Sequence, residues 1–233
     1  MGFKTAAWYF FFVLLFASAA WPRAKNSGDG EIMVRVLNHA GIARTEMLDA
    51  ESEAGRIFQA AGIRIQWVDC SRGGCHGDLG ANEFVLNIVP DGKTSTDLVF
   101  GVAFLGPSGE GKYADVFFRR IEVACRGNRQ DIWRMLGTIA AHELGHLLLG
   151  SHAHSSAGVM MASWGGQTVH RVEMGCLLFS SEQAALMRAR MVDNELLLAR
   201  SAKSNENFRS TEAPPIRSDF YKGAWRTRSD DTR

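Results

Sequence analysis

The chain has no surplus of charge: its 233 residues carry 26 Lys and Arg against 25 Asp and Glu, and setting Lys4 aside with the N-terminal segment leaves 25 against 25. The basic residues are scattered rather than striped until the final tail. Without a positive face there is no electrostatic footprint for nucleic acid or an anionic membrane as the main partner. Beyond residue 20 the chain also lacks any run long and apolar enough to cross a bilayer. It shows no internal repeat. Its four cysteines, Cys70, Cys75, Cys125 and Cys176, include no CxxC pair, which argues against a second zinc site built on Cys70, Cys75 and His76.

What the chain does have begins with a separable N-terminal unit. Lys4, the apolar run Ala6–Phe16 and the small residues Ala17-Ser18-Ala19-Ala20 read as a secretory signal peptide over 1–20, cleaved near Ala19 or Ala20. An uncleaved anchor is the alternative, disfavoured because the apolar run is short. The mature protein is expected to be secreted or periplasmic. About 210 residues remain, enough for one medium domain with its own core. No long inhibitory propeptide is evident between the signal and the first strand. The organisation expected is a linker over 21–30, one domain over 31–201 and an unstructured polar tail over 202–233, in which Phe208, Phe220, Tyr221 and Trp225 stand out.

Within the domain, Ile32–Leu37 reads as a strand and Arg44–Ala61 as a helix with the apolar stripe Met47, Ala50, Ala54, Ile57 and Phe58. Gly62 ends that helix, and Ile63–Val68 alternates as a second strand. Strand, helix, strand implies a right-handed crossover and a parallel pair. Further strands are expected over Phe84–Val89, Leu98–Leu105 and Ala114–Ile121. A final helix starts at Ser181, where Ser180 and Gln183 form a capping box, and Ala184, Leu186, Met187, Met191, Leu196 and Leu197 are expected to pack on the domain.

The chemistry concentrates in His142-Glu143-Leu144-Gly145-His146. On a helix, residues four apart share a face, so His142 and His146 offer two imidazoles to one ion, with Glu143 beside it. This HExxH pattern holds Zn²⁺ on two neutral imidazoles and places a carboxylate to take a proton from water. Chance would produce it in roughly one chain of this length in a hundred, so the surroundings matter. Ile132, Trp133, Leu136, Ile139, Ala140, Leu144, Leu147 and Leu148 recur at helical spacing, Asn128 or Asp131 can cap the start, and Gly150 suits the end. A catalytic zinc takes three protein ligands, and His152 and His154 both lie just beyond Gly150.

Taken together, His142, Glu143, His146, Gly150, a following histidine and Met160 resemble the metzincin-type zinc metallopeptidases, whose pattern is HExxHxxGxxH followed by a methionine-containing turn. The glycine comes one residue late. His152 keeps the family spacing from His142, whereas His154 opens a His-Ser-Ser-Ala-Gly-Val-Met run resembling the approach to the Met-turn in secreted zincin-like proteins, and the two stay open with His154 favoured. The resemblance is tight over 139–161 and rests on element order before that. It implies an α/β (α+β zincin-like) fold: a twisted mixed sheet of about five strands, a backing helix and an active-site helix, then a C-terminal helical part. It further implies one catalytic Zn²⁺, Glu143 as general base, Met160 in the Met-turn and a peptide or protein substrate that pairs with the strand preceding the metal helix.

Around this centre, Arg119 and Arg120 are candidates for placing a carboxylate, and Trp164 and His170 for a wall of the pocket. An even number of cysteines in an exported chain suggests two disulfides, most simply Cys70 with Cys75 and Cys125 with Cys176 among three connectivities. The function expected is a secreted zinc metalloendopeptidase. The alternatives are a zinc-containing binding protein without turnover and an amidase acting on a non-peptide bond.

Overall fold

The computed structural model describes residues 30–92, 99–126, 128–162 and 166–211, with the side chains of 166–169 and 205–211 left aside. The segment read as a signal peptide, Leu98, Trp164, and Phe220, Tyr221 and Trp225 of the tail lie outside the described residues.

Alternating apolar residues set the first strand, β1 (Gly30–Asn38), with Ile32, Val34 and Val36 turned to one face and buried. Helix α1 (Arg44–Ala60) follows, and its expected stripe, Met47, Ala50, Ala54, Ile57 and Phe58, is entirely buried. It returns the chain to β2 (Ile63–Asp69), which pairs with β1 in parallel as the strand, helix, strand order implied. Then come β3 (Glu83–Val89), β4 (Gly101–Phe104) and β5 (Tyr113–Phe117). The sheet order is β2-β1-β3-β5-β4, parallel throughout except for β4, which runs antiparallel to β5. The fold is α+β, with a five-stranded mixed sheet of zincin-like architecture.

Two expectations about these strands are corrected. The segment Ala114–Ile121 is strand only as far as Phe117, after which α2 (Phe118–Ala124) begins. Moreover β5 lies between β3 and β4 with both its edges paired, so among the described residues the edge strand at this end of the sheet is β4. The reason is the hairpin at Gly106–Gly111, where the Gly106 amide donates to the Glu110 carbonyl and folds β4 back outside β5.

Helix α3 (Arg129–Leu149) crosses α1 closely, because Gly137 has no side chain: a Cβ there would stand 2.4 Å from the Ala50 carbonyl oxygen. Asn128 is its N-cap residue, and the Asn128 amide bonds Asp131. Gly150 ends it in the left-handed conformation (φ 62°), its amide donating to the His146 carbonyl. Then follow α4 (Gly166–Glu173) and α5 (Ser181–Thr211). The capping box is present: Gln183 N donates to Ser180 Oγ (3.2 Å) and Ser180 N to Gln183 Oε1 (2.9 Å). Ala184, Met187 and Met191 are buried, but Leu186, Leu196 and Leu197 face solvent, since they lie off the 184–187–191 stripe. The helix continues through 202–211, into the segment expected to be unstructured.

Cys70 and Cys75 form a disulfide, which also removes both sulfurs from any metal site with His76. Arg35 reaches across to this loop, bonding Glu83 and the Gly77 carbonyl. Cys125 and Cys176 are not bonded to each other. Cys125 is buried at the end of α2, where burial pushes its thiol up to about 11, whereas Cys176 is exposed with its thiol turned to the Met174 carbonyl.

Candidate metal centre

His142, Glu143 and His146 lie on the core side of α3, each no more than 5% exposed. A helix with apolar residues on nearly all sides, as the stretch Ile132–Leu148 is, must be enclosed, and its few polar groups are enclosed with it. The enclosure is paired. His142 Nδ1–H donates to the Val159 carbonyl and His146 Nδ1–H to the Ser151 carbonyl, both at 2.7 Å. A carbonyl oxygen only accepts, so these contacts fix the tautomer and leave each Nε2 with its lone pair.

Those two lone pairs point at one another across 3.1 Å. Burial holds both imidazoles below their ordinary value, His142 down to about 4, so neither ring carries a second proton at neutral pH to relieve the contact. Two facing, unprotonated acceptors in a buried site suit a cation between them. The donor set therefore fits a divalent metal.

The third imidazole is that of His154. Its ring lies 5.3 Å from His142 and 4.9 Å from His146, centroid to centroid, and one nitrogen from each of the three rings falls within 4.8 Å of the others. His152 stays outside this group, its ring 6.0 Å from that of His146. The late glycine explains the choice. Gly150 turns the chain one residue later than the family pattern, and the Ser151 carbonyl is engaged by His146, so the chain reaches the metal position only at His154. That position is fixed from behind by the Ser155 amide, which donates to the Met160 carbonyl at 2.8 Å.

Met160 is fully buried. It approaches α3 because Gly145, inside the motif, is bare: a Cβ there would meet Met160 Sδ at 2.7 Å. Glu143 lies against Gly101 of β4, and burial pushes its carboxyl up to about 8.

Other expected site residues fall elsewhere. Arg120 is buried over the Phe117 ring, where it donates to Asp91 and to the carbonyls of Gly92 and Val99, each at 2.8 Å. The carboxylate it places is the chain's own, at the approach to β4. Arg119 is exposed. His170 is exposed on α4, with Nδ1 3.0 Å from Glu173. The residues missed in the sequence are Val159 and Ser151, which act through backbone carbonyls that leave no trace in residue type, and Gly101, whose glycine could have marked a close approach within a strand.

No family model matches the chain, and no curated protein matches it. Among solved structures it is similar to a zinc-dependent peptidase from Methanocorpusculum labreanum (TM-score 0.49, 14% identity, covering 66% of this chain and 99% of that one). It is also similar to archaemetzincin from Methanopyrus kandleri (TM-score 0.43, 15% identity, 72% of this chain and 98% of that one). Both likenesses are loose, and what the site can do follows from its own residues.

Proposed function

We propose that the protein is an exported zinc metallopeptidase in which His142, His146 and His154 hold the metal and Glu143 is the general base. The observation that carries this is the three-imidazole cluster with a buried carboxyl on the adjacent helical position. Bound there, Zn²⁺ supplies Lewis acidity, polarising a carbonyl and lowering the pKa of water towards about 7. Three neutral ligands leave that charge undiminished.

The chain's own groups do the rest. The Val159 and Ser151 carbonyls keep both helical imidazoles in the tautomer that presents Nε2 to the ion. Glu143 accepts a proton from the attacking water and returns it to the leaving amine, a task that requires the ionised carboxylate, which the charge of a bound divalent ion beside it would favour. The free edge of β4 offers backbone donors and acceptors to an extended peptide, which would run beside Glu143. An intact acid next to the ion favours turnover over a purely structural metal.

Metal analysis of the purified mature protein, followed by cleavage of a mixed peptide set with and without chelator, tests the proposal. Expected are about one zinc per chain and chelator-sensitive cleavage. Zinc without cleavage of any peptide would mean a binding protein or a different amide as substrate, and absence of zinc would defeat the assignment.

A further inference from the structure

Glu143 is held by shape. No hydrogen bond from the described residues fixes its carboxyl, yet the side chain lies tightly against the first residue of β4, Gly101. A Cβ built on Gly101 would stand 2.6 Å from Glu143 Oε1, 2.7 Å from Glu143 Cγ and 2.9 Å from the Asp115 carbonyl oxygen. Contacts that short do not occur, so the Glu143 side chain occupies the volume that any other residue at 101 would need.

Neither backbone is free to move aside. Ala140 and Leu144, on either side of Glu143 along α3, are no more than 4% exposed. Gly101 is paired with Val116 of β5, and the Phe117 amide donates to the Phe100 carbonyl at 2.8 Å, just before the strand. Arg120 holds the Val99 carbonyl one residue further back. With both walls held, the larger adjustment to an added methyl falls on the flexible Glu143 side chain, and the Asp115 carbonyl must give slightly as well.

We propose that Gly101 is a positioning residue: by carrying no side chain, the edge strand sets where the Glu143 carboxyl lies relative to the three imidazoles. Its catalytic consequence rests on the metallopeptidase assignment above, but its structural content does not. A misplacement on the order of 1 Å at a reacting group costs about 10²-fold in rate. Displacing Glu143 leaves the imidazoles and their carbonyl partners untouched, so the metal should stay.

The test compares the parent protein with Gly101→Ala, Glu143→Ala and the double variant, reading zinc per chain, kcat and KM on a cleaved peptide, and the melting temperature of the metal-free protein. Gly101→Ala should keep its zinc and lose about 10²-fold in kcat, with KM changed by less than about threefold. Its melting temperature should fall less when Glu143 is already Ala, because part of the space is then vacant. Should Gly101→Ala alone fail to fold, the double variant should still fold. Unchanged kcat in a folded, zinc-loaded Gly101→Ala protein overturns the proposal, as does an equal fall in melting temperature in both backgrounds or failure of both variants to fold. If the parent cleaves nothing, the metallopeptidase assignment fails while the melting comparison still decides the role of Gly101.

Discussion

At the β2-β1-β3 end of the sheet the strands run parallel, α1 covers one face, and polar groups meet partners: the buried Glu51 pairs with Arg44, and the half-buried Asn38 holds both backbone groups of Ile42. At the β5-β4 end the last strand is reversed, its outer edge is unpaired among the described residues, and α3 buries two histidines and a carboxyl whose proton affinities are all displaced by burial. One end is arranged to be stable. The other carries polar groups at a cost that a metal-binding hydrolase can turn to use.

If that division is right, changes at the two ends should separate cleanly. The largest effect is expected for His154→Ala, which should lose bound zinc and all metal-dependent cleavage yet remain folded, while His152→Ala keeps its metal; zinc content by elemental analysis distinguishes them. Next, Glu143→Ala should retain zinc and lose about 10² to 10⁴ in kcat, measured under saturating peptide. At the other end, Ile32→Ala, at a fully buried position of β1, should cost about 2–5 kcal/mol of stability in denaturant unfolding while leaving activity per folded molecule unchanged. A loss of zinc in that variant would break the comparison.

The smallest effect is a pH dependence of the metal-free protein. Glu143 titrates near 8 when folded against 4.5 unfolded, so its contribution is present below pH 4.5 and is lost as pH rises through 8. His142 titrates near 4 against 6.5, so its contribution is present above pH 6.5 and lost as pH falls towards 4. The two offset each other between 4.5 and 6.5. From 6.5 to 8 the Glu143 slope stands alone: stability should decline with rising pH, and Glu143→Gln should flatten that decline in urea titrations.

Much of this was legible in the residues. The periodicity of Met47, Ala50, Ala54, Ile57 and Phe58 located α1, and His142, Glu143 and His146 located the centre, because burial and shared helical faces are local consequences of spacing. Strand order was less legible. That β4 folds outside β5 depends on a hairpin between Gly106 and Gly111, and nothing in the composition of β5 distinguishes an inner strand from an edge. Which imidazole joins the other two depended on where Gly150 turns the chain, and that Cys125 is buried while Cys176 is exposed depended on the packing around α2 and α4.

His154 reaches the other two imidazoles from a short loop that leaves α3 at Gly150. An ion shared by all three would act there as a clasp, closing a small ring of chain much as a covalent cross-link would. Opening the clasp frees that ring alone, while α1 and the strands keep their packing. Chelation should therefore expose residues 151–157 to proteolytic nicking before any other part of the domain.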